Sequence, residues 1–112
     1  LWRITMANTF KNAGVAIGTS ATTIYTAPSS TTGVIHAIYI SNVDGTNDAT
    51  VDITVTDTSA GATFYILKTV DVPADSTLVI EKPINLEAGD ILKALASTAS
   101  DLEAFASILE IT

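Results

Sequence analysis

Cysteine is absent from this 112-residue chain, which excludes disulfide staples, thiolate metal centres and cysteine nucleophiles. Basic residues are scarce. Five Lys and Arg stand against 12 Asp and Glu, for a formal net charge of −7. Such a balance repels phosphate backbones and anionic lipid, so neither nucleic acid nor a membrane is an expected partner. Long apolar runs are also missing: the longest, Val34 to Ile40, is interrupted by His36 and falls far short of the ~20 residues a membrane helix needs. The start of the chain shows no basic stretch followed by an apolar core and a cleavage site, so no secretory signal is read. Residues 1–8 are expected to be an extended or disordered segment and residues 9–112 a single domain. Aromatics make up only 6% of the chain, few for stacking on sugar rings.

What the chain has in quantity is β-branched residues in short runs, closed by Gly, Pro, Asp, Asn or Ser and repeated about every ten positions, the signature of an all-β sandwich or barrel. Val51, Ile53 and Val55 alternate with Asp52, Thr54 and Thr56, a strand with one buried and one wet face. Val34 to Ile40 is apolar at both parities, which predicts a strand covered on both sides. Asp44-Gly45 between these runs predicts a tight reversal, making residues 34–57 one antiparallel hairpin. Further strands are predicted at 9–17, 22–26, 63–70, 76–81 and 91–96. The expected fold is all-β, an antiparallel sandwich of about eight strands, with a jelly roll among the topologies open to it.

The C-terminal segment supports two readings. Ser100 and Glu103 match a capping box, with Leu102, Phe105, Ala106 and Leu109 at helical spacing. At period two, Leu102, Ala104, Ala106 and Ile108 share one face and Phe105, Leu109 and Ile111 the other. The strand is favoured, because an otherwise all-β chain can close its sandwich with a last long strand.

The run Ile84-Asn85-Leu86-Glu87-Ala88-Gly89-Asp90-Ile91-Leu92, with Ala96-Ser97 and the ending Ser107-Ile108-Leu109-Glu110-Ile111, resembles the C-terminal half of small tailed-phage virion proteins. Thr22 to Pro28 and Val55 to Ala60 are similar to segments of the same group. The resemblance implies a β-sandwich structural subunit of a phage particle, a capsid decoration or a tail or appendage protein located in the virion, with other virion proteins as partners. It implies no catalytic residues and no cofactor.

Nothing in the residues competes with a non-enzymatic reading. His36 is the single imidazole, so any Ser-His-Asp triad depends on it, and no Gly-x-Ser-x-Gly elbow accompanies it. On an apolar strand it is expected to be buried or interfacial. Gly14 and Gly18 open no phosphate loop, for no Lys-Ser/Thr follows. Asn42, Asp44, Asn47 and Asp48 gather hard oxygens suited to Ca²⁺, but not in EF-hand order. Turn chemistry accounts for them, so no metal is expected there. Their presence keeps a second reading open: a β-sandwich that binds a glycan or a Ca²⁺-dependent ligand.

At 47% hydrophobic residues, the chain carries more apolar surface than one small core needs, concentrated in residues 34–40 and 102–111. The surplus predicts a homo-oligomer, with a trimer favoured, whose interface uses Ile35, Ala37, Tyr39, Phe105, Leu109 and Ile111.

Overall fold

The computed structural model describes residues 7–112. Its strands are β1 Asn8–Ala16, β2 Thr22–Thr26, β3 Thr32–Asn42, β4 Ala49–Asp57, β5 Ala62–Val72, β6 Thr77–Ile80, β7 Ile84–Leu86, β8 Ile91–Ala96 and β9 Leu102–Ile111. No helix occurs among the described residues, and none is long and apolar enough to cross a membrane. Most of the extended segment expected at residues 1–8 lies outside the described residues, and Asn8 is already paired with Ile111 in β1.

The strands form an antiparallel β-sandwich. One sheet has the order β1-β9-β3-β6, with β7 also paired to β3, and the other the order β2-β8-β4-β5. The core between them is aliphatic: Ile35, Ile38, Ile40, Leu102, Ala104, Ala106 and Ile108 from the first sheet meet Val51, Ile53, Leu92, Ala94 and Ala96 from the second. β4 follows its alternation, with Ala49, Val51 and Ile53 buried and Thr50, Asp52 and Thr54 half-buried on the other side.

Residues 34–57 are not a hairpin. β3 and β4 lie in different sheets, and the segment between them is an arch across the sandwich. The arch is held by the buried Asn42, whose amide nitrogen donates to the Asn47 and Val72 carbonyls (2.9 and 2.9 Å) while its oxygen accepts from Asp44 N–H at 2.9 Å. Asn and Asp in this loop thus serve side-chain turns. The left-handed glycines are Gly61 and Gly89 rather than Gly45. Gly61 closes the true hairpin, β4 to β5.

The mixed parity of β3 also has a local cause. The pairing with β9 shifts register between Ile35 and Ala37, leaving His36 as the extra residue of a bulge. A bulge inverts the in-out alternation beyond it. Ile35 before the bulge and Ile38 and Ile40 after it therefore all face the core, at 1%, 0% and 0% exposure. This strand has one covered face, and His36 is exposed rather than buried.

The C-terminal segment is a strand. β9 pairs with β1 along one edge and β3 along the other, which satisfies its backbone on both sides. Ser100 sits at φ 70°, a left-handed conformation unlike that of a helix N-cap.

Candidate assembly surface

On β9 the inward residues are Leu102, Ala104, Ala106 and Ile108, so Phe105, Ser107, Leu109 and Ile111 face outward. Register then builds the outer face of the first sheet. Phe10, Leu109 and Val34 stand side by side across β1, β9 and β3. Gly14, Phe105, Tyr39 and Val79 do the same across β1, β9, β3 and β6. A low row of Asn12, Ser107 and Ala37 separates the two. Phe10 is 80% exposed, Phe105 46%, Tyr39 40% and Val79 39%, so these four side chains alone leave roughly 400 Å² in water, divided between the two rows. The Phe105 ring leans over Gly14, where an added Cβ would lie 3.3 Å from Cδ1. Beside it an open depression of about 370 Å³ is bounded by Tyr39, Phe105, Ser41 and Glu103.

The structure therefore brings Tyr39, Phe105, Leu109, Ile111 and Ala37 to one outer face. Ile35 is not among them: it is 1% exposed, turned inward just before the bulge. Phe10 and Val79 belong to the same face and were not singled out from sequence. Their signal was weak, because each is a lone apolar residue at one end or edge of its strand.

The other sheet has its own apolar edge. Phe64, Tyr65 and Ile66 on β5 are 54%, 56% and 40% exposed, with the Lys68 ammonium 4.9 Å from the Tyr65 ring centre. A groove of about 540 Å³ runs between β5 and β6, floored by Leu67, Leu78, Ile80 and Ile84.

At the opposite edge the sandwich is closed by a polar clasp. Glu110 is buried at 7% exposure; it accepts a 2.5 Å hydrogen bond from the Tyr25 hydroxyl of the facing sheet, and Lys11 Nζ lies 3.6 Å from its other oxygen. Burial, followed by the bond to Glu110, raises the Tyr25 pKa above its ordinary range. The clasp depends on Gly33, which pairs with Glu110. A Cβ there would lie 2.9 Å from Tyr25 Cε2 and 3.1 Å from its hydroxyl. Gly33→Ala is accordingly expected to push the ring off Glu110 and cost about 2 kcal/mol by overpacking, read as a lower urea midpoint. An unchanged midpoint would mean that the ring yields freely.

The oxygen-rich loop spends its ligands on itself. Asp44 Oδ1 accepts from the N–H groups of Thr46 (2.8 Å) and Asn47 (3.3 Å), and its Oδ2 from Asn47 Nδ2 at 3.2 Å. Asp48 Oδ1 accepts from Ala74 N–H at 3.0 Å, and Asn42 is fully occupied as described. The one set of three acidic groups close enough to share an ion, among the described residues, is Asp57, Glu87 and Asp90. These too are committed to turns. Asp57 caps Ser59 and Ala60, and Asp90 holds Thr58 and Glu87.

No protein-family model matches the chain, and no characterised protein matches it at a significant level. Among solved structures, two phage capsid chains match at different levels. A chain of the acidic stable capsid structure of Helicobacter pylori bacteriophage KHP30 superposes with a TM-score of 0.57 at 10% identity, over 96% of this chain and 92% of that one. A pentameric capsid protein isolated from metagenomic phage sequences gives a TM-score of 0.41 at 21% identity, over 88% of this chain and 60% of that one. The first likeness is one of fold; the second falls short of a common fold.

Proposed function

We propose that this chain is a non-enzymatic structural subunit of a phage particle, a capsid decoration or a tail or appendage protein, working in the virion by association with copies of itself and with other virion proteins. The observation that carries the reading is the apolar outer face of the β1-β9-β3-β6 sheet. Ten residues of β9 span ~33 Å and four strands ~19 Å, a footprint of roughly 600 Å² per copy, so a ring of three copies that covers this face on each buries about 1,800 Å² in all. The strand order supports the same reading. With β7 set aside as an extra strand, β1-β9-β3-β6 facing β2-β8-β4-β5 is the order we read as a jelly roll, an architecture used by viral capsid domains.

A trimer is the arrangement we favour. The outer face carries two unlike apolar strips, the Phe10 row and the Phe105 row. Unlike strips suit a head-to-tail contact that closes into a ring, and three copies make the smallest such ring. In sedimentation or light scattering at micromolar concentration the expected mass is three times 11.6 kDa, and the chain should be recovered by mass spectrometry of purified particles. A stable monomer, or absence from the particles, would defeat the proposal.

A further inference from the structure

The two sheets have open edges at β1, β2, β5 and the β6-β7 side, and all but that of β1 are blunted. β5 slips register twice against β4, carries Lys68 and holds Thr69 in a left-handed conformation at φ 53°. β6 and β7 have four and three residues, with Pro83 between them. β2 has five residues and a register slip of its own. Bulges, shortness, proline and lysine are the means by which sheets keep further strands from adding to an edge. β1 runs for nine residues without a proline, in unbroken register with β9. Its one lysine, Lys11, stands opposite the buried Ile108, with its Nζ 3.6 Å from Glu110.

The bonds at the two ends of β1 show which of its main-chain groups are unused. Ile17 N–H donates to the Leu102 carbonyl at 2.9 Å, and Thr112 N–H to the Ala7 carbonyl at 3.0 Å. In an antiparallel ladder such pairs recur at every second residue, so Thr9, Lys11, Ala13 and Val15 bond to β9. The N–H and C=O groups of Asn8, Phe10, Asn12, Gly14 and Ala16 therefore point away from β9, and all of these residues are exposed. Among the described residues, no main-chain group outside the strand ladders bonds to them.

We propose that β1 pairs antiparallel with β1 of a second copy, edge to edge about a two-fold axis at Asn12, so that the two outer sheets run on as one. Hydrogen-bonded opposites must both be edge-facing residues. The register that uses the whole strand sets Asn12 against the partner's Asn12, Phe10 against the partner's Gly14 and Asn8 against the partner's Ala16. The side chains suit this register. Phe10, 80% exposed, lands beside a glycine over which Phe105 already leans, and aromatic rings serve to cover glycines at sheet edges. The Phe10 row of one copy then continues into the Phe105 row of the other. Charge favours the same edge. Every Asp and Glu lies at residue 44 or beyond, so the two strands that meet hold no carboxylate, although each chain carries −7.

This contact goes beyond the outer-face association, because pairing at the edge leaves both outer faces turned the same way and open. It buries main chain more than apolar side chains, which makes it the weaker of the two contacts, formed between copies held close together.

The chain has no cysteine, so one introduced thiol reports the pairing without background. Hydrogen-bonded opposites lie about 5.5 Å apart at Cα, within the range a disulfide spans. Under mild oxidation of concentrated protein, Asn12→Cys should form a disulfide dimer of twice 11.6 kDa on a non-reducing gel. Asn8→Cys, on the same edge but about 26 Å from its copy in this register, should link about tenfold more slowly or less. Asn8→Cys mixed with Ala16→Cys should link, whereas neither should link alone. Asn12→Pro removes an edge-facing N–H and no bond to β9, so it should keep the native urea midpoint and, placed in the Asn8→Cys and Ala16→Cys chains, stop their linking. Equal rates for Asn12→Cys and Asn8→Cys would mean random collision and overturn the proposal. So would an Asn12→Cys thiol that stays monomeric, whether open to alkylation or covered by residues 1–6 of its own chain. A trimer by light scattering whose Asn12→Cys form does not link defeats the edge contact alone, and a monomer by light scattering whose Asn12→Cys form links defeats the ring alone.

Discussion

Asp90→Ala is expected to lower the free energy of unfolding by about 3 kcal/mol, a large share of the 5–15 kcal/mol typical of a domain. Asp90 is 3% exposed, and both of its carboxylate oxygens are in use. Oδ1 accepts from the N–H and hydroxyl of Thr58, each at 3.0 Å, and Oδ2 from Glu87 N–H at 2.9 Å. Its carbonyl accepts from Ala27 N–H, and Gly89 N–H donates to the Ala27 carbonyl at 2.8 Å. One residue thus ties the β4–β5 hairpin, the turn into β8 and the end of β2. Alanine leaves the Thr58 and Glu87 N–H groups without acceptors in a part-buried site. Asp90→Asn should fall between alanine and the native residue, since an amide keeps one acceptor but turns a donor toward another donor. Urea unfolding with an unchanged m-value would register the loss. An alanine variant within 0.5 kcal/mol of the native protein would show the carboxylate to be dispensable.

Asp90 also shows what a linear reading captures. Leu86-Glu87-Ala88-Gly89-Asp90 is legible as a turn feeding a strand, and Gly89 at φ 88° supplies the reversal. The bonds to Thr58, 32 positions away, have no signature in either segment. The alternation of Val51, Ile53 and Val55 identified β4 because its burial alternates regularly from Ala49 to Thr54 and its pairing with β8 is unshifted, although its register with β5 slips twice. β3 was harder: its hydrophobic pattern changes phase at His36, and a bulge reads as two buried faces when parity is counted along one strand. The same miscount put Ile35 on the outer face, although it is 1% exposed, while Tyr39 does stand there at 40%. Asp44-Gly45 predicted a reversal of the chain, and the chain does reverse there, but local turn chemistry cannot tell a hairpin from an arch between sheets. The outer face could be read only in fragments, since Phe10 comes beside Leu109, and Phe105 beside Tyr39 and Val79, through registers that join four strands distant in sequence.

That face yields the other large expected effect. Tyr39→Glu combined with Phe105→Glu should weaken self-association at least ~100-fold while leaving each copy folded. The two rings are directly opposite on β3 and β9, central to the patch, and aromatic residues in that position commonly contribute 2 kcal/mol or more apiece to an interface. Adding two carboxylates to a chain already at −7 sets like charges against each other across any contact between copies. Folding should change little, because both side chains are 40% or more exposed in the single chain. Ile35→Ala should do the opposite, leaving association per folded copy intact and costing about 3 kcal/mol of stability, as expected for a large aliphatic side chain lost from a core. Tyr65→Glu makes the same chemical change on the β5 edge of the other sheet, where the ring is 56% exposed. If Tyr65→Glu dissociates the assembly and the Tyr39, Phe105 pair does not, the copies meet through the β5 edge and its groove. If neither substitution alters the mass in solution, the apolar faces are covered by another protein of the particle rather than by a second copy of this one.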